Sequence, residues 1–119
     1  MPTPARSTEE KKDTDVIYEE RNYSFAPAHF RPFLTLFEAE GLALTRQHLG
    51  TLVGYFTAET GQLNTAVHIW AFEDLMDRQR RRETLWADPA WQAYADKVLP
   101  WIVRMENRLL QPTAFSPLR

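Results

Sequence analysis

Two apolar runs, Leu49 to Thr57 and Thr65 to Phe72, are joined by the short connection Ala-Glu-Thr-Gly-Gln-Leu-Asn. This is the pattern of two strands in a hairpin. Adjacent strand residues point to opposite faces of a sheet. Tyr55 and Phe56 are adjacent and both apolar, and Ile69 with Trp70 repeats the arrangement. A third strand is expected over Val16 to Tyr23, where Ile17 and Tyr18 form another such pair. A sheet apolar on both faces needs a cover on each, since a large exposed apolar patch is unfavourable in water. Helices supply one cover. The economical second cover is another copy of the chain, packed face to face about a two-fold axis.

The rest of the chain fits that scheme. Phe30, Phe33, Leu34, Phe37, Gly41 and Leu44 follow helical spacing and predict a first helix. Pro27 suits its first turn, whereas Pro32 implies a start near Arg31 or a kink there. A second helix is expected from about Asp74 to Trp86. Asp88-Pro89 supplies an N-cap and a first-turn proline for a third, which carries Trp91, Tyr94, Ala95 and Val98. The last strand spans roughly Val103 to Leu110. The order β-α-β-β-α-(α)-β is that of an α+β, ferredoxin-like fold: a four-stranded antiparallel sheet with helices on one face. Residues 1–14 read as a flexible polar tail and 15–119 as a single domain.

Composition narrows the chemistry. The 119 residues include no cysteine, which excludes disulfides and thiolate sites, and a net charge of −2 gives no broad footprint for nucleic acid. No apolar run is long enough to span a bilayer. The N-terminal residues show neither a secretory h-region nor the acid-poor character of a transit peptide, so a cytoplasmic chain is expected. No His, Asp and Glu cluster has metal-ligand spacing, and there is no phosphate-binding loop or Gly-x-Ser-x-Gly elbow. Lys97 is the only lysine outside the tail, which argues against Schiff-base chemistry.

The second helix is the sharpest local feature. With Leu75 at the centre of its inward face, Gln79, Arg82 and Trp86 fall beside it, flanked by Arg78 and Leu85. Asp77–Arg81, Arg80–Glu83 and Asp74–Arg78 are helix-surface pairs, but Arg82 has none. Arg82 either snorkels or pairs with a buried carboxylate such as Glu19 or Glu106, or it lines a pocket and binds an anionic or carbonyl group. His68 shares a strand face with Ala66, Trp70 and Phe72. It is either a hydrogen-bonded core residue or a functional one, a general base or, further afield, a haem ligand. No other cofactor is indicated. Glu19, Arg21 and Tyr23 alternate onto one face of the first strand, as a cross-strand ion pair or as a polar group facing a cavity.

Several ordered motifs resemble the NIPSNAP family: Glu19-x-Arg21-x-Tyr23, Gly61-Gln-Leu-Asn64, His68-Ile-Trp70-Ala-Phe72, Asp77-Arg78 with Arg82, Asp88-Pro89-x-Trp91, Met105-Glu-Asn107 and Pro112-Thr-x-Phe115-Ser-Pro117. The resemblance covers roughly residues 16 to 118. Phe72 stands where the family often has tyrosine, so no hydroxyl role is carried over there. The resemblance implies a dimeric α+β barrel, a fold shared by cofactor-independent monooxygenases, haem enzymes, isomerases and non-catalytic proteins. It implies no established reaction. The expected function is small-molecule binding between sheet and helices, with a cofactor-independent enzyme as one form of it. In that reading Arg78 and Arg82 hold the ligand's polar group and His68 is the candidate base. Trp70, Trp86 and Trp91 form apolar walls, with Gln79, Arg21 and Tyr23 nearby. The alternative is a non-enzymatic homodimeric interaction module using the arginine-rich outer surface of the second helix and the Pro112–Pro117 segment.

Overall fold

Four antiparallel strands carry the architecture in the computed structural model, which describes residues 16–119. The expected tail over 1–14 lies outside those residues. The strands are β1 (Ile17–Phe25), β2 (Thr51–Thr57), β3 (Thr65–Phe72) and β4 (Ile102–Leu110). Their spatial order is β2-β3-β1-β4. Gly61 and Asn64 take positive φ in the β2–β3 connection, the conformations that turn residues of these types tolerate.

The sheet separates its faces by alternation. Ala66, His68, Trp70 and Phe72 of β3 are buried beneath the helices, while Val67, Ile69 and Ala71 point the other way and are half-buried. That open face is not apolar throughout, which corrects the expectation from sequence. Val67, Ile69 and the exposed Phe56 make its β2–β3 half apolar. The β1–β4 half carries Glu20, Asn22 and Arg108, in which Arg108 and Asn22 each donate to Glu20 at 3.0 Å. Apolar pairs within single strands do not reveal that Glu20 and Asn22 of β1 and Arg108 of β4 share this side.

On the covered face the first helix is one continuous helical stretch: α1 (Pro27–Leu36), a π-helical turn (Phe37–Gly41) and α2 (Leu42–Leu49). It starts at Pro27 and carries Pro32 inside. Pro32 and Ala28, whose carbonyl the proline cannot serve, are both exposed, so water meets the unbonded group. Phe33, Phe37, Gly41, Thr45 and Leu49 are the buried positions of this stretch, spaced four apart. A pure α-helix would rotate such a row by roughly 40° per step. The π turn winds more slowly and keeps the row facing the sheet. Gly41 is required there: a Cβ would lie 2.7 Å from both Phe37 Cδ1 and Tyr94 Cζ.

Helices α3 (Leu75–Ala87) and α4 (Pro89–Val98) begin at aspartates. Asp74 accepts from the Asp77 N–H at 2.7 Å and Asp88 from the Ala90 N–H at 2.9 Å. A single turn of 3₁₀ helix, Leu99–Trp101, leads into β4.

The contact that seats α3 on the sheet is ionic. Glu19 on β1 is 1% exposed. Its carboxylate accepts two bonds from Arg78 of α3 at 3.0 Å, one from Arg21 at 2.6 Å and one from Asn107 of β4 at 2.7 Å. Burial pushes the carboxyl upward. The hydrogen bonds from Arg78 and Asn107 and the charges of Arg21 and Arg78 outweigh this and hold it at about 2.

Two outcomes follow for stability. Glu19→Ala strands the buried guanidinium of Arg21 and the half-buried one of Arg78 and should cost about 3–5 kcal/mol in denaturant unfolding. Because the folded-state value is depressed, the Glu19 contribution is full above its ordinary 4.5 and fades as pH falls toward about 2. The stability gap between wild type and Glu19→Gln should therefore close over that window, and a pH-independent gap would refute the assignment. Gly41→Ala should cost about 1–3 kcal/mol by overpacking against Tyr94. A neutral result in the same unfolding assay would show that the aromatic ring moves aside freely.

Candidate functional site

The buried core is split. One cluster holds Phe25, Phe33, Phe37, Ala66, Tyr94 and Val98; a second holds Leu49, Trp70, Phe72 and Leu85. A cavity of about 290 Å³ lies where the two meet, walled by members of both and by Tyr55, His68 and Trp91. Trp86, Leu99 and Met105 also line it and are all more than two-fifths exposed, so they mark its mouth.

Three of its lining residues, Tyr55, His68 and Arg21, lie in one cross-strand row that ends at Asn107. Tyr55 of β2 pairs with His68 of β3, His68 with Arg21 of β1, and Arg21 with Asn107 of β4. His68 stacks on Tyr55 at 4.6 Å and meets the edge of Tyr23 at 4.8 Å. Trp70, two residues along β3, donates its indole N–H to His68 Nδ1 at 2.8 Å. An indole nitrogen is only a donor, so Nδ1 must accept. The neutral ring then carries its proton on Nε2. Burial, and next the charge of Arg21, lower the His68 value to about 3, so the ring is neutral through the physiological range. In this tautomer Nε2 offers a donor and no lone pair. That does not suit a general base, and it does not fit a haem ligand, which needs a free ring-nitrogen lone pair.

Among the described residues, four buried side-chain polar atoms lack a hydrogen-bond partner: Tyr55 OH, His68 Nε2, Trp91 Nε1 and Tyr94 OH. All four belong to residues that line this cavity. Burial, and then the charges of neighbouring groups, push the tyrosine hydroxyls up, so both remain protonated. Arg82 also lines the cavity, and no hydrogen bond or ion pair holds it among the described residues. Burial and the like charge of Arg21 both press against its charged form.

The expected site residues come together in part. His68, Trp70, Trp86, Trp91, Arg21, Tyr23 and Arg82 line the cavity. Arg78 does not line it and is spent on Glu19. Gln79 is exposed and donates to Glu83 at 3.0 Å. The inward face of α3 is thus centred on Arg78, Arg82 and Leu85, and not on Leu75, which is exposed. Of the expected surface pairs, Asp77–Arg81 forms at 2.9 Å. Arg80 reaches Asp77 and not Glu83, and Asp74 caps the helix without pairing to Arg78. Glu106 pairs with Arg104, so neither carboxylate proposed for Arg82 is free to take it. Tyr55 and Tyr94 line the cavity without having been expected there. A hydroxyl on a position expected to face the core was the available signal.

No group of three or more His, Asp and Glu residues among the described residues is placed to hold a metal, and no described helix is long and apolar enough to cross a membrane.

The NIPSNAP family profile matches residues 18–117. Relatives include the protein NipSnap of Drosophila melanogaster, 32% identical over 106 residues, covering 85% of this chain and 36% of the relative. A putative NipSnap protein of Caenorhabditis elegans is 30% identical over 109 residues, covering 92% of this chain and 20% of the relative. The chain thus spans about a third or less of these relatives' length. Among solved structures, an uncharacterized NIPSNAP-like domain protein from Burkholderia xenovorans is 48% identical, with a TM-score of 0.83 over 87% of this chain and 90% of its own. A NIPSNAP family protein of unknown function from Agrobacterium tumefaciens is 42% identical, with a TM-score of 0.85 over 89% and 96%. A putative antibiotic biosynthesis monooxygenase from Bacteriodes thetaiotaomicron shares the fold alone, at 13% identity and a TM-score of 0.61 over 90% and 96%. With a family profile spanning nearly the whole described chain and solved relatives that share its fold at more than two-fifths identity over the aligned residues, the chain belongs to the NIPSNAP family.

Proposed function

We propose that this chain binds a small, largely apolar molecule in the cavity between sheet and helices, and that it does so as a homodimer. One observation carries the binding reading. The four unpartnered buried polar atoms all line a single cavity. Native proteins leave few such atoms, and each costs about 1–3 kcal/mol when unmet. A ligand with hydrogen-bond acceptors meets them. The aromatic walls suit its apolar body.

In this reading His68 orients the ligand as a donor, and Arg82 meets its polar end. The family resemblance allows a cofactor-independent enzyme, but the Trp70–His68 bond favours binding over proton abstraction at this histidine. Support for the homodimer is the apolar β2–β3 half of the open sheet face, where Phe56 is 55% exposed. A second copy packed there removes that area from water. The interaction-module alternative rests on Phe115, which is 88% exposed in the Pro112–Pro117 segment. Deleting residues 112–119 tests it by loss of partner capture with the dimer intact.

Native mass spectrometry of freshly purified protein tests both parts of the main reading. The expected species is a dimer that carries, or takes up, an apolar small molecule. A monomer would overturn the homodimer. Failure to take up any member of a set of small aromatic compounds would overturn the binding reading. Nitrogen NMR of the His68 ring tests its role: the expected spectrum is that of an Nε2–H tautomer, with protonation only as pH falls toward about 3. A ring protonated at Nδ1, or one titrating near its ordinary 6.5, would restore the base assignment. Trp70→Phe should free Nδ1 and remove the tautomer preference.

A further inference from the structure

Resting on the binding reading above, we propose that the cavity selects aromatic weak acids, phenolic or carboxylic, and holds them as anions with the negative oxygen on Arg82. Two independent features carry this.

The first is the sense of the hydrogen bonds. Trp91 Nε1 is a donor by its chemistry, and His68 Nε2 is one because Trp70 occupies Nδ1. The strongest acceptors near the cavity are used within the protein. Nδ1 of His68 serves Trp70, and Glu19 serves Arg21, Arg78 and Asn107. Tyr23 OH accepts from Arg21 Nε at 2.7 Å. Thr45 donates its hydroxyl to the Gly41 and Leu42 carbonyls, so its oxygen, like those of Tyr55 and Tyr94, is a neutral acceptor that remains. A cationic amine meets the like charge of Arg82 and finds only the neutral hydroxyls of Tyr55, Tyr94 and Thr45 to accept its protons. A ligand that accepts meets all four unpartnered atoms and Arg82 together.

The second is charge. The ionisable groups that face the guanidinium of Arg82 are Glu19, Arg21 and Tyr23 from β1 and Arg78 from its own helix. Behind them lie Tyr55 from β2, His68 from β3 and Tyr94 from α4, all neutral at physiological pH. Three arginines therefore surround one carboxylate. Two of them are bound to it and the third is unpaired. An anion placed against Arg82 supplies the missing counter-charge in a partly desolvated site, where such a contact is strong. For a weak acid the bound form is then the conjugate base. The acidic proton passes to bulk water on binding, and no protein base is needed.

The probes are 4-nitrophenol, whose phenolate is coloured, the carboxylate 4-nitrobenzoate, and the neutral isostere 4-nitroanisole. Binding is read by quenching of tryptophan fluorescence. At a pH below the solution pKa of 4-nitrophenol, wild-type protein should raise the phenolate absorbance and lower the apparent pKa of the bound probe by at least about one unit, tenfold in its acid constant. 4-Nitrophenol should bind more tightly than 4-nitroanisole. Arg82→Met should abolish the spectral shift and Arg82→Lys, which keeps the charge, should retain part of it, both variants unfolding cooperatively. If 4-nitroanisole binds as tightly as 4-nitrophenol and the phenol stays neutral, the anion selectivity is wrong and the cavity reading stands. If none of the three binds, the cavity reading fails with it. A full spectral shift in Arg82→Met overturns the assignment to that residue. Binding of 4-nitrobenzoate without 4-nitrophenol narrows the class to carboxylates.

Discussion

The buried carboxylate of Glu19 sets the position of everything above the sheet at this end of the molecule. It ties β1 to α3 through Arg78 and to β4 through Asn107. Helix α3 has few apolar residues to hold it down, and only Leu85 among them is buried. Its angle and rotation are therefore fixed by a charge-assisted bidentate contact more than by packing, which is a geometrically specific way to seat a helix. Such a cluster is not the most stabilising choice in principle, since well-packed apolar groups often serve as well. What it supplies is register. With Arg78 locked on Glu19, the residue one turn on, Arg82, has to face the cavity, and Leu85 has to close its wall.

Much of the fold was legible because it rests on local chemistry. The bounds of β3 follow from its apolar run, and α4 begins where Asp88-Pro89 says it should. The face of α3 was not legible, and the reason is physical. Periodicity arguments assume that the buried stripe is the apolar one. Here Leu75 and Met76 are exposed, and the stripe that faces the sheet runs through Asp77, Arg78, Arg81, Arg82 and Leu85, at helical spacing but largely polar. That stripe becomes visible only once Glu19 is known to be buried beneath it, a fact about β1 and not about α3. The π turn was hidden for a similar reason. Its cause is the need to keep Phe33, Phe37 and Thr45 on one line, which depends on the sheet they face.

The site was half legible. Seven of its side chains were named from sequence because aromatic and cationic residues on core-facing positions are unusual enough to notice. What sequence does not carry is direction: which atom of His68 is engaged, and which of the neighbouring arginines is left over. Both are decided by contacts across the chain. Trp70 settles the first and Glu19 the second.

These two contacts also explain why donors outnumber acceptors in the cavity. Each satisfies a structural need, closing a buried indole N–H in one case and neutralising buried guanidinium groups in the other. Each does so by consuming an acceptor. A core built this way exports its surplus donors to whatever space remains unfilled, and here that space is the gap between two aromatic clusters. Because His68 stays neutral down to about 3, the cavity's charge comes from arginine alone and does not change over the physiological pH range. A fold shared at 13% identity carries none of these contacts with it. The character of this cavity therefore belongs to Glu19, Trp70 and Arg82, and not to the ferredoxin-like architecture that carries them.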